Sequence, residues 1–310
     1  MSLSLGKWRR LRQATSQRGT FTILAIDHRG PLRRTLAPRF AAGDLEAALS
    51  ALKVDIVREL APGATAVLLD PETGLVPCVS SGALPGDRGL LLALDTGSTG
   101  DPAVLKTGLV PGWDVGRAVT AGAAGVKLLV YYHPDAAEAP AVEELVTTIG
   151  RACAQAEMPF YLEPLSYSLE QPGGRLPSRR RRQVVVETAR RLVPLGVDVL
   201  KAEFPVDVNE ESDQNIWREA CEELSQACSI PWVILSGGLS YETFLRQTRI
   251  ACEAGASGVM AGRAIWNEAV ISEGPARRRF LRETARERIE RLRCLCDALG
   301  KPVKPPYHDA

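Results

Sequence analysis

The sequence lacks long hydrophobic runs and has almost no net charge. No stretch approaches the ~20 consecutive apolar residues that cross a bilayer, and residues 1–20 contain no uninterrupted apolar core like that of a secretion signal. The 38 lysines and arginines nearly balance the 37 aspartates and glutamates, for a net charge of +1. We therefore expect a soluble, cytoplasmic protein with neither a membrane nor a nucleic acid as partner.

Histidine is scarce and cysteine is scattered. His28, His133 and His308 are too few for the histidine ligands of a typical metal-dependent enzyme, and the last lies in the C-terminal tail. The seven cysteines are odd in number, and Cys294 and Cys296 have no histidine nearby. We expect reduced thiols, no metal ion and no cofactor.

Eight short apolar segments recur, each followed by a turn and a longer amphipathic stretch. This alternation is typical of βα units, and nearly continuous Val, Ile, Leu and Ala indicate strands buried on both faces. Eight such units predict an α/β fold, a (β/α)8 TIM barrel. The predicted strands are Phe21–Asp27, Ala66–Asp70, Leu90–Asp95, Gly125–Tyr131, Pro159–Glu163, Val197–Glu203, Trp232–Ser236 and Gly258–Gly262.

No linker divides the chain. We predict one barrel domain over residues 1–310, with a short N-terminal extension, a βα loop at 171–178 and a tail at about 301–310. Asp44 is a candidate N-cap, and the helix at 275–299 is a candidate homo-oligomer contact, although its arginines fit a solvent-exposed face equally well. The predicted helices are 44–60, 116–121, 141–157, 180–192, 213–227, 242–254 and 275–299.

Polar residues fall at the carboxyl ends of the predicted strands, where barrel enzymes place their catalytic groups. Asp27 ends the first strand, and Lys127, Glu163 and Lys201 interrupt otherwise apolar strands. Buried charges are costly unless they are paired or used. Because side chains alternate along a strand, Lys201 shares a face with Glu203, and Asp27 shares one with Ala25. If these faces point inward, they converge on one site.

Other charged residues have plainer interpretations. Asp70 precedes Pro71 and Asp95 precedes Thr96-Gly97, so both are expected to be turn residues. The arginine run 179–182 opens a helix, where a solvated face is favoured over an anion site.

Lys201 is the most informative residue of the chain. Within the apolar run 197–205 its amine loses hydration, which favours the neutral, nucleophilic form that a Schiff base requires. Lys127 would be a second inward cation near it. The plain alternative is a lysine that pairs with Glu203 or Asp198.

Two glycine-containing turns follow the last two predicted strands, where barrels commonly bind phosphate. The first contains Ser236, Gly237 and Gly238, and the second contains Gly262 and Arg263. Glycine amides and a helix N-terminus can face an anion, and an arginine can add a bidentate contact. The two turns together predict a site for a phosphate or a similar oxyanion.

Seven stretches, in order along the chain, match one known family. They are 24–30 (LAIDHRG), 66–74 (AVLLDPETG), 125–132 (GVKLLVYY), 159–163 (PFYLE), 198–201 (DVLK), 235–238 (LSGG) and 261–266 (AGRAIW). In these stretches the chain resembles the class I aldolases of the tagatose-1,6-bisphosphate aldolase family, which includes the sulfofructose phosphate aldolases.

The resemblance implies a (β/α)8 lyase that cleaves a ketohexose phosphate to dihydroxyacetone phosphate and a three-carbon aldehyde. The substrate would be tagatose 1,6-bisphosphate-like or 6-deoxy-6-sulfofructose 1-phosphate. The resemblance also implies a Schiff base on Lys201. The other implied polar groups of the active site are Asp27, Lys127 and Glu163, and those implied to bind phosphate are Ser236, Gly262 and Arg263.

One departure from the family is visible in the first loop. The family usually has Gln after Asp27, whereas this chain has His28 and keeps Arg29. Because that loop is expected to contact the far end of the substrate, the group on C6 stays open between phosphate and sulfonate.

Several alternatives stay open. One is a non-catalytic sugar-phosphate sensor on the same barrel, and another is a phosphate-binding isomerase or decarboxylase in which Lys201 is only a cation. A metal-dependent aldolase is disfavoured by the scarcity of histidine.

Overall fold

Eight parallel strands close into a barrel in chain order, and β8 pairs with β1. The computed structural model describes residues 3–41, 43–97, 105–170 and 176–304. The predicted (β/α)8 barrel is confirmed, although several strands end before the polar residue that was assigned to them. The strands are β1 (Phe21–Ala25), β2 (Ala66–Leu69), β3 (Gly89–Ala93), β4 (Gly125–Tyr131), β5 (Phe160–Leu165), β6 (Val199–Ala202), β7 (Trp232–Leu235) and β8 (Gly258–Ala261).

Helices alternate with the strands within the described residues. They are α1 (Leu5–Gln13), α2 (Gly30–Leu36), α3 (Leu45–Leu60), α4 (Leu75–Ser80), α5 (Val115–Thr120), α6 (Ala139–Gln155), α7 (Ser178–Leu192), α8 (Gln214–Ala227), α9 (Tyr241–Glu253), α10 (Arg263–Ile271), α11 (Gly274–Phe280) and α12 (Arg286–Leu299). A π-helical turn, Leu281–Ala285, divides the predicted helix 275–299. Across these ranges, no helix combines the length and the apolar character needed to cross a membrane.

Some predictions about loops and caps need qualification. Asp44 precedes α3, but its side chain makes no capping hydrogen bond. Residues 171–175 of the predicted loop and residues 305–310 of the predicted tail, with His308, lie outside the described residues. Helices α1, α2, α4 and α10 were not predicted, and each spans only six to nine residues.

The strands are buried on both faces, which explains their apolar sequences. Side chains such as Leu24, Val67 and Leu200 pack outward under the helices, while Ala25 and Val199 point into the barrel. This arrangement fills the lower part of the barrel with apolar groups and leaves its carboxyl end for polar ones.

Helix α1 packs against the amino end of the barrel. Leu11 and Ala14 join the interior cluster of apolar residues. Lys7 binds Asp198 at 2.6 Å, just before β6. The helix therefore covers the base of the barrel, opposite the end where the strands finish.

A second buried ion pair links α3 to the end of β2, outside the barrel. Lys53 donates to Asp70, and both side chains have 0% exposure. Asp70 Oδ2 also accepts hydrogen bonds from the backbone and the hydroxyl of Thr73, at 2.7 and 2.9 Å. Asp70 is thus the expected turn residue, but it is also half of a structural ion pair.

Candidate active site

Four charged side chains meet at the carboxyl end of the barrel. Asp27 follows β1, Lys127 lies on β4, Glu163 on β5 and Lys201 on β6. All four are buried, with between 1% and 7% of each residue exposed. The strands therefore bring together the four residues proposed from the sequence as catalytic.

Glu163 bridges the two lysines. Its Oε1 lies 2.7 Å from Nζ of Lys201, and its Oε2 lies 2.7 Å from Nζ of Lys127. Lys127 also donates to Asp27 Oδ2 at 2.9 Å. At these distances Glu163 can receive a proton from Lys201 and return it without moving the backbone.

The plain alternative for Lys201, pairing with Glu203 or Asp198, does not occur. Asp198 faces the other end of the barrel, where it binds Lys7. Glu203 turns towards α7 and lies 3.0 Å from Arg181. The buried amine is therefore oriented towards Glu163.

Asp95 is a member of the cluster that sequence reasoning missed. Its Oδ2 lies 3.2 Å from Nζ of Lys127, and it is 1% exposed. It also accepts a hydrogen bond from Gly97 N at 2.9 Å, as expected of a turn residue. Asp95 therefore stabilises a turn and contacts Lys127 as well. Its position at a strand end, like that of Asp27, was the signal available in the sequence.

The cluster keeps its charges despite burial. Burial by itself lowers the pKa of Lys127, but Asp27, Asp95 and Glu163 outweigh it and hold that pKa above its ordinary value. Burial by itself raises the pKa of Asp27 and that of Glu163, but Lys127 and Lys201 outweigh it. They hold the pKa of Asp27 well below its ordinary value and the pKa of Glu163 below its ordinary value. Lys127 is therefore a permanent cation at neutral pH.

The two predicted anion-binding turns lie next to each other. Ser236 Oγ accepts a hydrogen bond from Gly262 N at 3.3 Å, which joins the turn after β7 to the turn after β8. Gly238 has φ +78°, and a Cβ there would lie 3.2 Å from the guanidinium carbon of Arg263. Gly237 also has a positive φ, of +55°. Glycine lets this turn close tightly around the arginine.

Arg263 supplies the positive charge of this region. It is the first residue of α10, whose N-terminus carries a partial positive charge. Its Nε is buried and has no hydrogen-bond partner, and burial lowers its pKa. A half-buried arginine whose Nε is an unused donor beside two glycine turns is suited to an oxyanion.

His28 and Arg29 differ in their surroundings. The His28 ring packs edge-on against Trp266 at 5.2 Å, and a Cβ on Gly262 would lie 2.9 Å from its Cε1. His28 is therefore close to the anion-binding turns. Burial lowers its pKa to about 3 although Asp27 opposes the shift, so the ring is neutral at pH 7. Arg29 is 1% exposed and binds Glu72 at 2.9 Å.

One open cavity of about 700 Å³ lies at this end of the barrel. Its lining includes Asp27, His28, Arg29, Lys127, Glu163, Lys201, Ser236, Gly237, Gly262 and Arg263. Arg181, from the run predicted to be a solvated face, is 19% exposed and faces the cavity, whereas Arg180 is 58% exposed. Further lining residues are Leu129, Tyr131, Ser166, Tyr167, Phe204 and Gln247. Among the residues that the structure describes, no three His, Cys, Asp or Glu side chains form a group that could hold a metal ion.

Comparison with known proteins agrees with this arrangement. The family model described as DeoC/LacD family aldolase matches residues 21–268. The tagatose 1,6-diphosphate aldolase of Staphylococcus aureus strain JH9 is 34% identical over 322 aligned positions, covering 94% of this chain and 95% of the relative. That of strain N315 matches with the same identity and coverage.

Solved structures share the fold at lower identity. A Schiff-base-forming fructose-1,6-bisphosphate aldolase superposes with a TM-score of 0.62 at 20% identity, covering 92% of this chain and 99% of the other. The fructose-bisphosphate aldolase of Plasmodium falciparum gives 0.71 at 15% identity, covering 97% and 98%. At these identities the likeness concerns the barrel.

Proposed function

Since the chain belongs to the DeoC/LacD family of aldolases and is therefore a lyase, we propose that it cleaves a ketohexose phosphate by class I chemistry, through a Schiff base on Lys201. One observation carries the proposal. The Lys201 amine is buried at the open end of the barrel, 2.7 Å from a carboxylate that also binds a second lysine.

The reaction begins with a proton transfer from Lys201 to Glu163 as the substrate enters. The neutral amine attacks C2 of the open-chain ketose and forms a carbinolamine. Glu163 returns its proton to the carbinolamine hydroxyl, which leaves as water, so that an iminium ion forms and Glu163 is again a carboxylate. Lys127 stays protonated because three carboxylates surround it, and its charge stabilises the carbinolamine oxygen. The iminium ion is the electron sink for the next step.

Cleavage needs a base at the C4 hydroxyl. Glu163, assisted by Asp27, is our candidate, because it is a carboxylate again once the carbinolamine has lost water, and the neighbouring lysines hold its pKa below the ordinary value. Removal of that proton breaks the C3–C4 bond, releases the aldehyde and leaves the electron pair on the enamine. Protonation of the enamine at C3 and hydrolysis of the resulting iminium release dihydroxyacetone phosphate and restore the Lys201 amine.

The phosphate of the dihydroxyacetone half fits the two glycine turns. Ser236, Gly237, Gly238 and Gly262 supply a hydroxyl and backbone amides, and Arg263 supplies charge. These turns follow β7 and β8, beside the strand that carries Lys201, so a phosphate there would place C2 near the amine.

The far end of the substrate is a tetrahedral oxyanion on C6, either a phosphate as in tagatose 1,6-bisphosphate or a sulfonate as in 6-deoxy-6-sulfofructose 1-phosphate. The similarity to Staphylococcus aureus tagatose 1,6-diphosphate aldolases supports the phosphate. Measured kcat/KM for the two sugars will decide between them.

Borohydride trapping tests the proposal directly. The protein is incubated with dihydroxyacetone phosphate and sodium borohydride, and the modified peptide is located by mass spectrometry in the wild type and in Lys201→Ala. We expect an adduct on Lys201 that is absent from the variant. Binding of dihydroxyacetone phosphate without any adduct would favour the sugar-phosphate sensor or the isomerase instead.

A further inference from the structure

Asp95 and Arg29 form a buried unit beside the proposed catalytic cluster. We infer that both are positioning residues, with Arg29 fixing Asp95 and Asp95 holding Lys127 in place between Asp27 and Glu163. The inference rests on the proposed function, because it assigns to Lys127 the role of the permanent cation in that reaction. It also adds a positioning role to Arg29, which the sequence suggested as a substrate-binding residue.

The Asp95 carboxylate is fixed from several sides. Its Oδ2 accepts from Leu129 N at 2.9 Å and lies 3.2 Å from Nζ of Lys127, while its Oδ1 accepts from Gly97 N at 2.9 Å. One backbone amide within β4 and one in the loop after β3 therefore hold the carboxylate while it faces the lysine. Such a carboxylate sets the location of Lys127 rather than following it.

Arg29 is enclosed and is paired through its two Nη atoms. Its guanidinium donates to the backbone carbonyl of Asp95, lies 3.5 Å from Asp95 Oδ1, and binds Glu72 at 2.9 Å. Gly97 has φ +77°, and a Cβ there would lie 3.0 Å from Arg29 Nη2. Arg29 also lines the cavity, and its Nε has no hydrogen-bond partner, so it can hold Asp95 through its Nη atoms while that donor remains for a ligand.

The charge balance shows why a third carboxylate matters. The charged groups that interact with Lys127 are Asp27 from the end of β1, Asp95 from the end of β3, Glu163 on β5 and, across Glu163, Lys201 on β6. If Glu163 takes a proton from Lys201, only Asp27 and Asp95 remain to balance Lys127. Asp95 thus allows Glu163 to change its charge while Lys127 keeps its own.

The test compares Asp95→Asn with a matched control, Asp198→Asn, which removes a buried carboxylate from the Lys7 pair at the opposite end of the barrel. For Asp95→Asn we expect kcat to fall about tenfold with KM within about twofold, less than the ~10²–10³ lost with a direct stabilising contact. Because one carboxylate fewer lowers the pKa of Lys127, activity should also decline at a lower alkaline pH than in the wild type. Asp198→Asn should keep the kcat and the pH profile of the wild type.

The outcomes separate this inference from the proposed function. If the wild type forms no borohydride adduct on Lys201, the Schiff-base mechanism itself fails. If the wild type is trapped but folded Asp95→Asn keeps the wild-type kcat and pH profile, the positioning role is wrong. If Asp95→Asn does not fold, Arg29→Gln gives the same readouts, with the same direction of change expected, and an unchanged kcat and pH profile in that variant overturns the inference.

Discussion

Lys53 and Lys127 are both enclosed lysines, but they meet different numbers of carboxylates. Lys53 has one partner, Asp70, and burial outweighs that partner, so the pKa of Lys53 is lowered. Lys127 has three partners, which outweigh burial and raise its pKa. The number of carboxylates, and not burial alone, therefore decides how firmly a lysine inside this protein holds its proton.

The two sites also differ in what surrounds the pair. Lys53 and Asp70 lie between a helix and the outside of the sheet. The second oxygen of Asp70 accepts hydrogen bonds from Thr73. The Lys127 cluster opens onto the 700 Å³ cavity and shares Glu163 with Lys201. The first pair is enclosed by contacts within the fold, while the second lies where the proposed reaction would exchange a proton.

Lys127→Met should have the largest effect on activity. Its loss leaves Asp27, Asp95 and Glu163 close together without their central cation, so the pKa of Glu163 rises and the carbinolamine oxygen loses its stabilising charge. We expect kcat for ketose cleavage to fall about 10³-fold. Steady-state kinetics on purified, folded variant will measure it, and a kcat within tenfold of the wild type would contradict the assigned role.

Lys53→Met should affect stability and leave activity intact. It strands the Asp70 carboxylate in a fully buried position, which costs about 3–5 kcal/mol for a broken buried pair. Urea denaturation will give the change in unfolding free energy, and kcat per folded molecule should match the wild type. A large loss of kcat in the folded variant would mean that the two lysines do not differ as described.

Changing both members of the outer pair should be less damaging than changing the lysine alone. In Lys53→Met combined with Asp70→Asn no unpaired charge remains, and the amide oxygen can still accept from Thr73. We expect the double variant to recover about 1–2 kcal/mol relative to Lys53→Met in the same denaturation experiment. No recovery would show that the charge of Asp70 is not the source of the cost.

The smallest expected effect is a change of the unfolding free energy with pH. Because the pKa of Lys53 is lower in the folded state than in the unfolded chain, its contribution to stability increases as pH rises towards ~10.4, the unfolded value. The difference in unfolding free energy between wild type and Lys53→Met should therefore grow between neutral and alkaline pH. A difference that shrinks over this range would reverse the assigned direction of the shift.

The raised pKa of Lys127 makes its contribution to stability depend on pH in the opposite direction. Its stabilising contribution is complete below the unfolded value and is lost only as pH rises through the higher folded value. The depressed pKa values of Asp27 and Glu163 add stability above about pH 4 that is lost on acidification.

The barrel was predictable because strands buried on both faces have distinctive sequences. The runs around Lys127 and Lys201 are apolar except for those lysines, so both the strands and their unusual charges could be read directly. The Ser236 and Arg263 turns could be placed because barrel topology sets the last two strands side by side.

Contacts between distant strands could not be read from local sequence. Asp95 precedes a turn and looks like a turn residue, and only the pairing of β3 with β4 brings it to Lys127. Arg181 looks like part of an exposed arginine run, and only the turn of Glu203 towards α7 draws it to the cavity. Each missed role depends on a partner far away in the chain.

Among the residues that the structure describes, Leu11 and Ala14 cover the base of the barrel, and the cavity lies at the carboxyl end of the strands. The substrate and products of the proposed reaction would therefore use the same end. The order in which the products leave then depends on which of them is still bound covalently. In the proposed reaction the aldehyde is free once the C3–C4 bond breaks, whereas the triose stays attached to Lys201 until hydrolysis releases it. The proposed chemistry thus sets the order of product release, and the covered base gives both products the same way out.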